Sequence, residues 1–80
     1  MTRIVSRPIA VKQWRNHEPL SFVDGEETHV ILNVLDRWME MGDWWNGEGE
    51  RQMIRVWTNQ SALFDLECTS GQWFIYKVWD

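Results

Sequence analysis

Val30-Ile31-Leu32-Asn33-Val34-Leu35-Asp36-Arg37-Trp38-Met39-Glu40-Met41 supports two incompatible readings. As a helix, Ile31, Leu35, Trp38 and Met39 fall at i, i+4, i+7 and i+8 on one face, and Gly42 would stop it. As a strand, Val30, Leu32 and Val34 alternate with polar or oppositely directed neighbours, and the phase changes before Trp38, as it does at a bulge. The β-branched residues Val30, Ile31 and Val34, close behind a hairpin turn, favour the strand. A bent strand is therefore expected over this segment; the alternative is an α+β chain with a helix at about residues 30–41.

The flanking segments point the same way. Asp24-Gly25 is the strongest hairpin signal in the chain. Before it, Arg7-Pro8 favours extended backbone, Ile9 to Trp14 alternates, and Asn16 to Pro19 reads as a turn. After it, Asp43 to Arg51 is polar and glycine-rich except for Trp44-Trp45, as a surface loop would be. Met53 to Thr58 alternates, with Ile54, Val56 and Thr58 on one side and Met53, Arg55 and Trp57 on the other. Ala62, Phe64, Leu66 and Cys68 share a face. Trp73 to Trp79 is apolar on both faces, with Phe74, Tyr76 and Val78 in one row and Trp73, Ile75 and Trp79 in the other. Short strands with turns at regular spacing indicate an antiparallel meander. One all-β domain over residues 1–80 is expected: a strongly bent sheet, or a five- to six-stranded SH3-like barrel.

The chain has 80 residues, 44% of them hydrophobic, so a single small globular core is its limit. It holds 7 Trp but only 3 Phe and 1 Tyr. Bulky indoles are one way for so short a chain to bury enough surface. Trp38, one of Trp44-Trp45, and at least one of Trp73 and Trp79 are expected to be structural. No apolar run approaches the roughly 18 residues of a membrane span, and the N-terminus has no signal-like stretch. The one cysteine, Cys68, makes no internal disulfide, which suits a reducing cytoplasm.

The net charge of −4 argues against a generic nucleic-acid binder. Its distribution is uneven, because Arg3, Arg7, Lys12 and Arg15 precede every acidic residue in the chain. Such an arm either reaches a phosphate backbone or docks on its own acidic neighbours; the second is preferred. Catalytic spacings are missing. His17 and His29 fit solvated positions and no ligand motif, Cys68 reads as a small core hydrophobe, and Gly47-Glu48-Gly49 is no phosphate loop. No catalytic residue, cofactor or metal site is expected.

The aromatic residues carry the functional reading. Trp44-Trp45 in a polar loop suggests one ring turned inward, Trp45, and one presented to a partner, Trp44. Trp57 with Arg55 forms an outward strip that Trp73 or Trp79 would extend, and Arg37 lies beside Trp38. Trp44, Trp45, Trp57, Arg55 and Arg37 are thus the candidate partner-binding residues. The alternative is a single-stranded nucleic-acid surface built from Arg3, Arg7, Lys12, Arg15 and Trp57. Asp36-Arg37-Trp38 is better accounted for as a structural corner than as a binding motif. An exposed edge strand leaves a dimer open.

Arg7-Pro8-Ile9, Val34-Leu35-Asp36-Arg37-Trp38, Gly42-Asp43-Trp44-Trp45, Glu50-Arg51 leading into Arg55-Val56, and the closing Trp73 to Asp80 together span nearly the whole chain. In these segments the sequence resembles a small bacterial domain family of unknown function, found alone or beside Y-family, translesion-type DNA polymerases. The resemblance implies a setting in DNA repair, with a polymerase or its assembly as partner, and no established activity. Members of that family carry more arginine, and an aromatic before the first hairpin glycine where this chain has Asp24. That departure weakens a nucleic-acid role. The expectation is a non-catalytic protein-interaction module.

Overall fold

The computed structural model describes residues 2–41 and 49–79. Seven strands follow one another: β1 Thr2–Pro8, β2 Ala10–Arg15, β3 Glu18–Asp24, β4 Glu27–Met41, β5 Glu50–Thr58, β6 Leu63–Thr69 and β7 Gln72–Trp79. The fold is all-β and antiparallel, with no helix among the described residues. No described helix is therefore available to cross a membrane.

Local chemistry sets the turns. Asn16 and His17 both take positive φ, as do Ser70 and Gly71, which is the two-residue geometry that matches strand twist. Gly25 at φ 62° closes the β3–β4 hairpin, with Asp24 opposite Glu27. Pro19 falls inside β3 and is buried, so the turn expected over residues 16–19 contracts to Asn16-His17.

The strand order is β1-β7-β6-β5-β4-β3-β2, so the two ends of the sheet are consecutive in sequence. β1 pairs with β7 and β2 with β3, with only Ile9 between them. The Ile9 amide donates to the Trp73 carbonyl at 3.1 Å, tying this bend to the start of β7. The sheet therefore curls into a half-barrel whose two margins are one bent run of chain. The extra strand relative to the five or six expected is mainly β1. Nearly all its side chains are exposed, so it has no apolar alternation to reveal it. Its place at the sheet edge is where Pro8 is tolerated.

Residues 30–41 are strand throughout, within β4. The alternative helix is excluded, and its apolar spacing is coincidental. β4 breaks register twice, between Ile31 and Asn33 and between Val34 and Asp36. The first break moves the inward phase from His29 and Ile31 to Val34. His29 and Ile31 are the buried positions, while Val30 and Leu32 face out. His29 was expected at the surface; instead it stacks on Phe22 at 5.1 Å and meets the edge of Phe64 at 5.0 Å. Its Nδ1 shares a hydrogen bond with the Thr58 hydroxyl at 3.2 Å, which is what makes burial of the imidazole tolerable.

The concave face holds one core of Phe22, Ile31, Ile54, Val56, Phe64, Leu66, Trp73 and Ile75. A shift in the β6–β7 register between Leu66↔Ile75 and Asp65↔Lys77 flips the rows of β7 as well. Val78 thereby joins Ile75 on the inside, and Trp79 turns outward with Lys77. The two apolar rows read from sequence are thus cut and exchanged at Tyr76.

Candidate functional site

β3 is held at both ends by ion pairs that reach across the curl. Arg7 of β1 grips Asp24 with contacts of 2.9 and 2.7 Å. Arg37 of β4 grips Glu18 with contacts of 2.5 and 2.9 Å. Both are fork-to-carboxylate pairs, the geometry that suits arginine. The Arg37 hydrogen bond holds the Glu18 carboxyl below its ordinary value of 4.5, against a smaller opposing effect of burial. A depressed carboxylate stabilises the fold fully above its unfolded value and loses that contribution as pH falls through the lower folded value. Glu18→Gln is therefore expected to flatten the acid limb of stability below about pH 4.5, as measured by urea unfolding at a series of pH values. An acid limb identical to wild type would contradict this.

The convex face carries a second cluster. Strand register lines up Asp36, Arg55, Asp65 and Lys77 across β4 to β7, a row of alternating charge. Arg55 donates to Asp65 at 2.8 Å and 3.4 Å, and its guanidinium lies 5.3 Å from the Trp38 ring centre and 4.6 Å from that of Trp79. Asp65 is only 2% exposed under this cover. Its hydrogen bond holds the Arg55 pKa up, against a smaller opposing effect of burial. Met53 is fully buried on the same face, outside the main core. Arg51 bridges Glu40 and Glu67 at 3.3 and 3.2 Å and sits over Tyr76. The outward strip expected from Met53, Arg55 and Trp57 is thus largely sealed by its own charges and indoles. Trp57 is its exposed remainder, at 37%.

The third feature is the open end of the half-barrel. The concave row beyond the core runs Met39, Gln52, Cys68, Trp73 across β4 to β7. Trp14 of β2 meets Trp73 from the far side, with ring centres 6.5 Å apart and planes tilted by 59°. Between them lies a cleft of about 380 Å³ lined by Trp14, His17, Gln52, Cys68, Gly71 and Trp73. Trp14 is 54% exposed, and Met39 and Met41 on the facing strand are 57% and 64% exposed. Burial pushes the Cys68 thiol up, partly offset by a backbone hydrogen bond at Gly71, with the Glu67 charge adding to the rise. Cys68 is half-buried in the cleft wall, where burial disfavours the thiolate. Among the described residues, no group of three or more His, Cys, Asp or Glu side chains is placed to hold a metal ion.

The expected site residues are dispersed by this arrangement. Trp44 and Trp45 lie outside the described residues. Arg37 is paired with Glu18 and Arg55 with Asp65. Arg7 is engaged by Asp24. Arg3 is exposed on β1, and Lys12 and Arg15 on β2, a strand separated from Trp57 on β5 by β3 and β4. In the strand order, two strands lie between Trp57 and each of the strands that carry Arg3, Arg7, Lys12 and Arg15. The cleft between Trp14 and Trp73 was not expected from sequence. The signal was present in Trp14, an indole flanked by polar residues on a short strand, but its partner Trp73 comes from the other end of the chain. Compared with family models, curated proteins and solved structures, the chain matches none.

Proposed function

We propose that this chain is a non-catalytic protein-interaction module whose contact surface is the open end of the half-barrel. One observation carries the reading: Met39, Met41 and Trp14, three large apolar side chains, are each more than half exposed, and Met39 stands in the cross-strand row that ends at Trp73, the ring Trp14 meets. Large apolar side chains left exposed in this way are what interaction surfaces present. The resemblance to a family found beside Y-family polymerases makes a repair polymerase assembly the first partner to test. The engagement of Arg7, Arg37, Arg51 and Arg55 by carboxylates weighs against the alternative of a single-stranded nucleic-acid surface.

The test is affinity capture from the native lysate, and from purified Y-family polymerase, with wild type and with the Met39→Asp/Met41→Asp variant. Both positions are exposed, so the fold is retained. Recovery of the specific partner is expected to fall about tenfold or more, the scale set by interface hot spots. Equal recovery by both proteins would overturn the proposal.

A further inference from the structure

Two cations close to Trp14 along β2 differ from the other basic residues. Among the described residues, Lys12 and Arg15 make no ion pair, in contrast to Arg7, Arg37, Arg51 and Arg55. Lys12 and Arg15 lie on β2 on either side of Trp14 in sequence. Arg15 also lines a second recess of about 250 Å³, where Arg37, Glu18 and Pro19 form part of the wall. That wall sets two guanidiniums against one carboxylate, and the carboxylate is already taken by Arg37. The end of the β2–β3 hairpin, from Trp14 to Pro19, stands between the two recesses: Trp14 and His17 border one, Arg15 and Pro19 the other.

The geometry points to an acidic peptide segment as the occupant, with a large apolar side chain in the cleft and a carboxylate against Arg15. This deepens the interaction-module reading and rests on it. The cleft supplies two indole walls and no charged lining residue, so it suits an apolar group. The adjoining cations supply charge complementarity, which sets partner choice more than affinity. A nucleic-acid strand fits less well. Polyanion binding gains from each further neutralised phosphate, and here the cations without an ion pair that neighbour Trp14 along β2 are two. The wider chain carries net charge −4 and repels a polyanion more than a short acidic segment.

The experiment titrates the full chain with a blocked decapeptide of aspartate and glutamate bearing one central phenylalanine between leucines, and follows the indole N–H signals by NMR. Its controls are the same peptide with lysine in place of every acid, and a ten-nucleotide oligothymidine. The acidic peptide is expected to shift the Trp14 and Trp73 signals. Trp14→Ala is expected to weaken binding about tenfold. Lys12→Glu/Arg15→Glu is expected to weaken it at least about threefold, more at low salt. All three positions are exposed, so loss of binding is not loss of fold. An equal response to the lysine peptide, a response to oligothymidine instead, or no shift at millimolar acidic peptide would each overturn the inference. Such a failure beside intact dependence of capture on Met39 and Met41 removes only the acidic-peptide assignment. Peptide binding without that dependence removes the broader reading instead.

Discussion

Phe22→Ala is expected to unfold a large fraction of the protein at 37 °C. Phe22 is fully buried, its ring stacked on His29 and meeting Phe64 edge-on at 6.0 Å. It is the main contribution of β3 to a core otherwise supplied chiefly by β5, β6 and β7. Truncating a buried phenylalanine costs about 3–5 kcal/mol, from lost transfer energy and the cavity left behind. A chain of 80 residues at roughly 0.05–0.15 kcal/mol per residue has only about 4–12 kcal/mol to lose. The loss also uncovers one face of the buried His29 ring, whose Nδ1 meets the Thr58 hydroxyl and whose Nε2 lies 3.5 Å from Glu27. Urea unfolding at pH 7 should show the midpoint collapse, with Phe22→Leu retaining most of the stability. A loss below about 1 kcal/mol would mean that the hairpin sheet contributes little to the core.

Arg55→Ala should be nearly as damaging, for a different reason. Asp65 would remain buried with its charge and without its partner, and breaking one side of such a pair costs about 3–5 kcal/mol. Arg55 keeps about a third of its side chain exposed, so water moderates the penalty, and about 3 kcal/mol is expected. For a domain of this size that corresponds to a fall in Tm of roughly 12–24 °C. Two cation–π contacts, with Trp38 and Trp79, disappear at the same time. Arg55→Lys should recover only part of the loss, since an ammonium keeps the charge but not the two-pronged contact or the stacking. Replacing both partners, Arg55→Met with Asp65→Leu, should restore most of the stability, because the cost lies in the orphaned carboxylate. If the double replacement is as unstable as Arg55→Ala, the damage comes from lost packing on the indoles instead.

These two positions mark how far the residues alone can be read. The inward assignment of Ile54, Val56, Phe64 and Leu66 follows from uninterrupted alternation, and β5 and β6 obey it. Alternation fails at β4 and β7, where register shifts exchange the faces within a strand. Local alternation does not reveal that His29 is buried or that Trp79 parts from the row of Trp73 and Ile75. A bulge changes the phase by one residue, and no residue type near Ile31 or Tyr76 announces it. The partners of the candidate residues are less legible than the fold. Arg55 and Arg37 read as outward groups when only their own strands are considered. Their carboxylate partners lie 10 and 19 residues away in sequence, so each pairing shows only in the structure.

The sequence by itself determined the all-β class, the hairpins and much of the core, because β-branched alternation and positive-φ turn residues act over a few neighbouring positions. Only the tertiary structure decided the rest. Curling the sheet brings β2 against the start of β7, so that Trp14 meets Trp73 across most of the chain's length. That contact makes the cleft and leaves Trp14, Met39 and Met41 at its open end. Its physical basis is non-local: the half-barrel closes one margin with a bent strand and leaves one end of its core uncovered by any described residue.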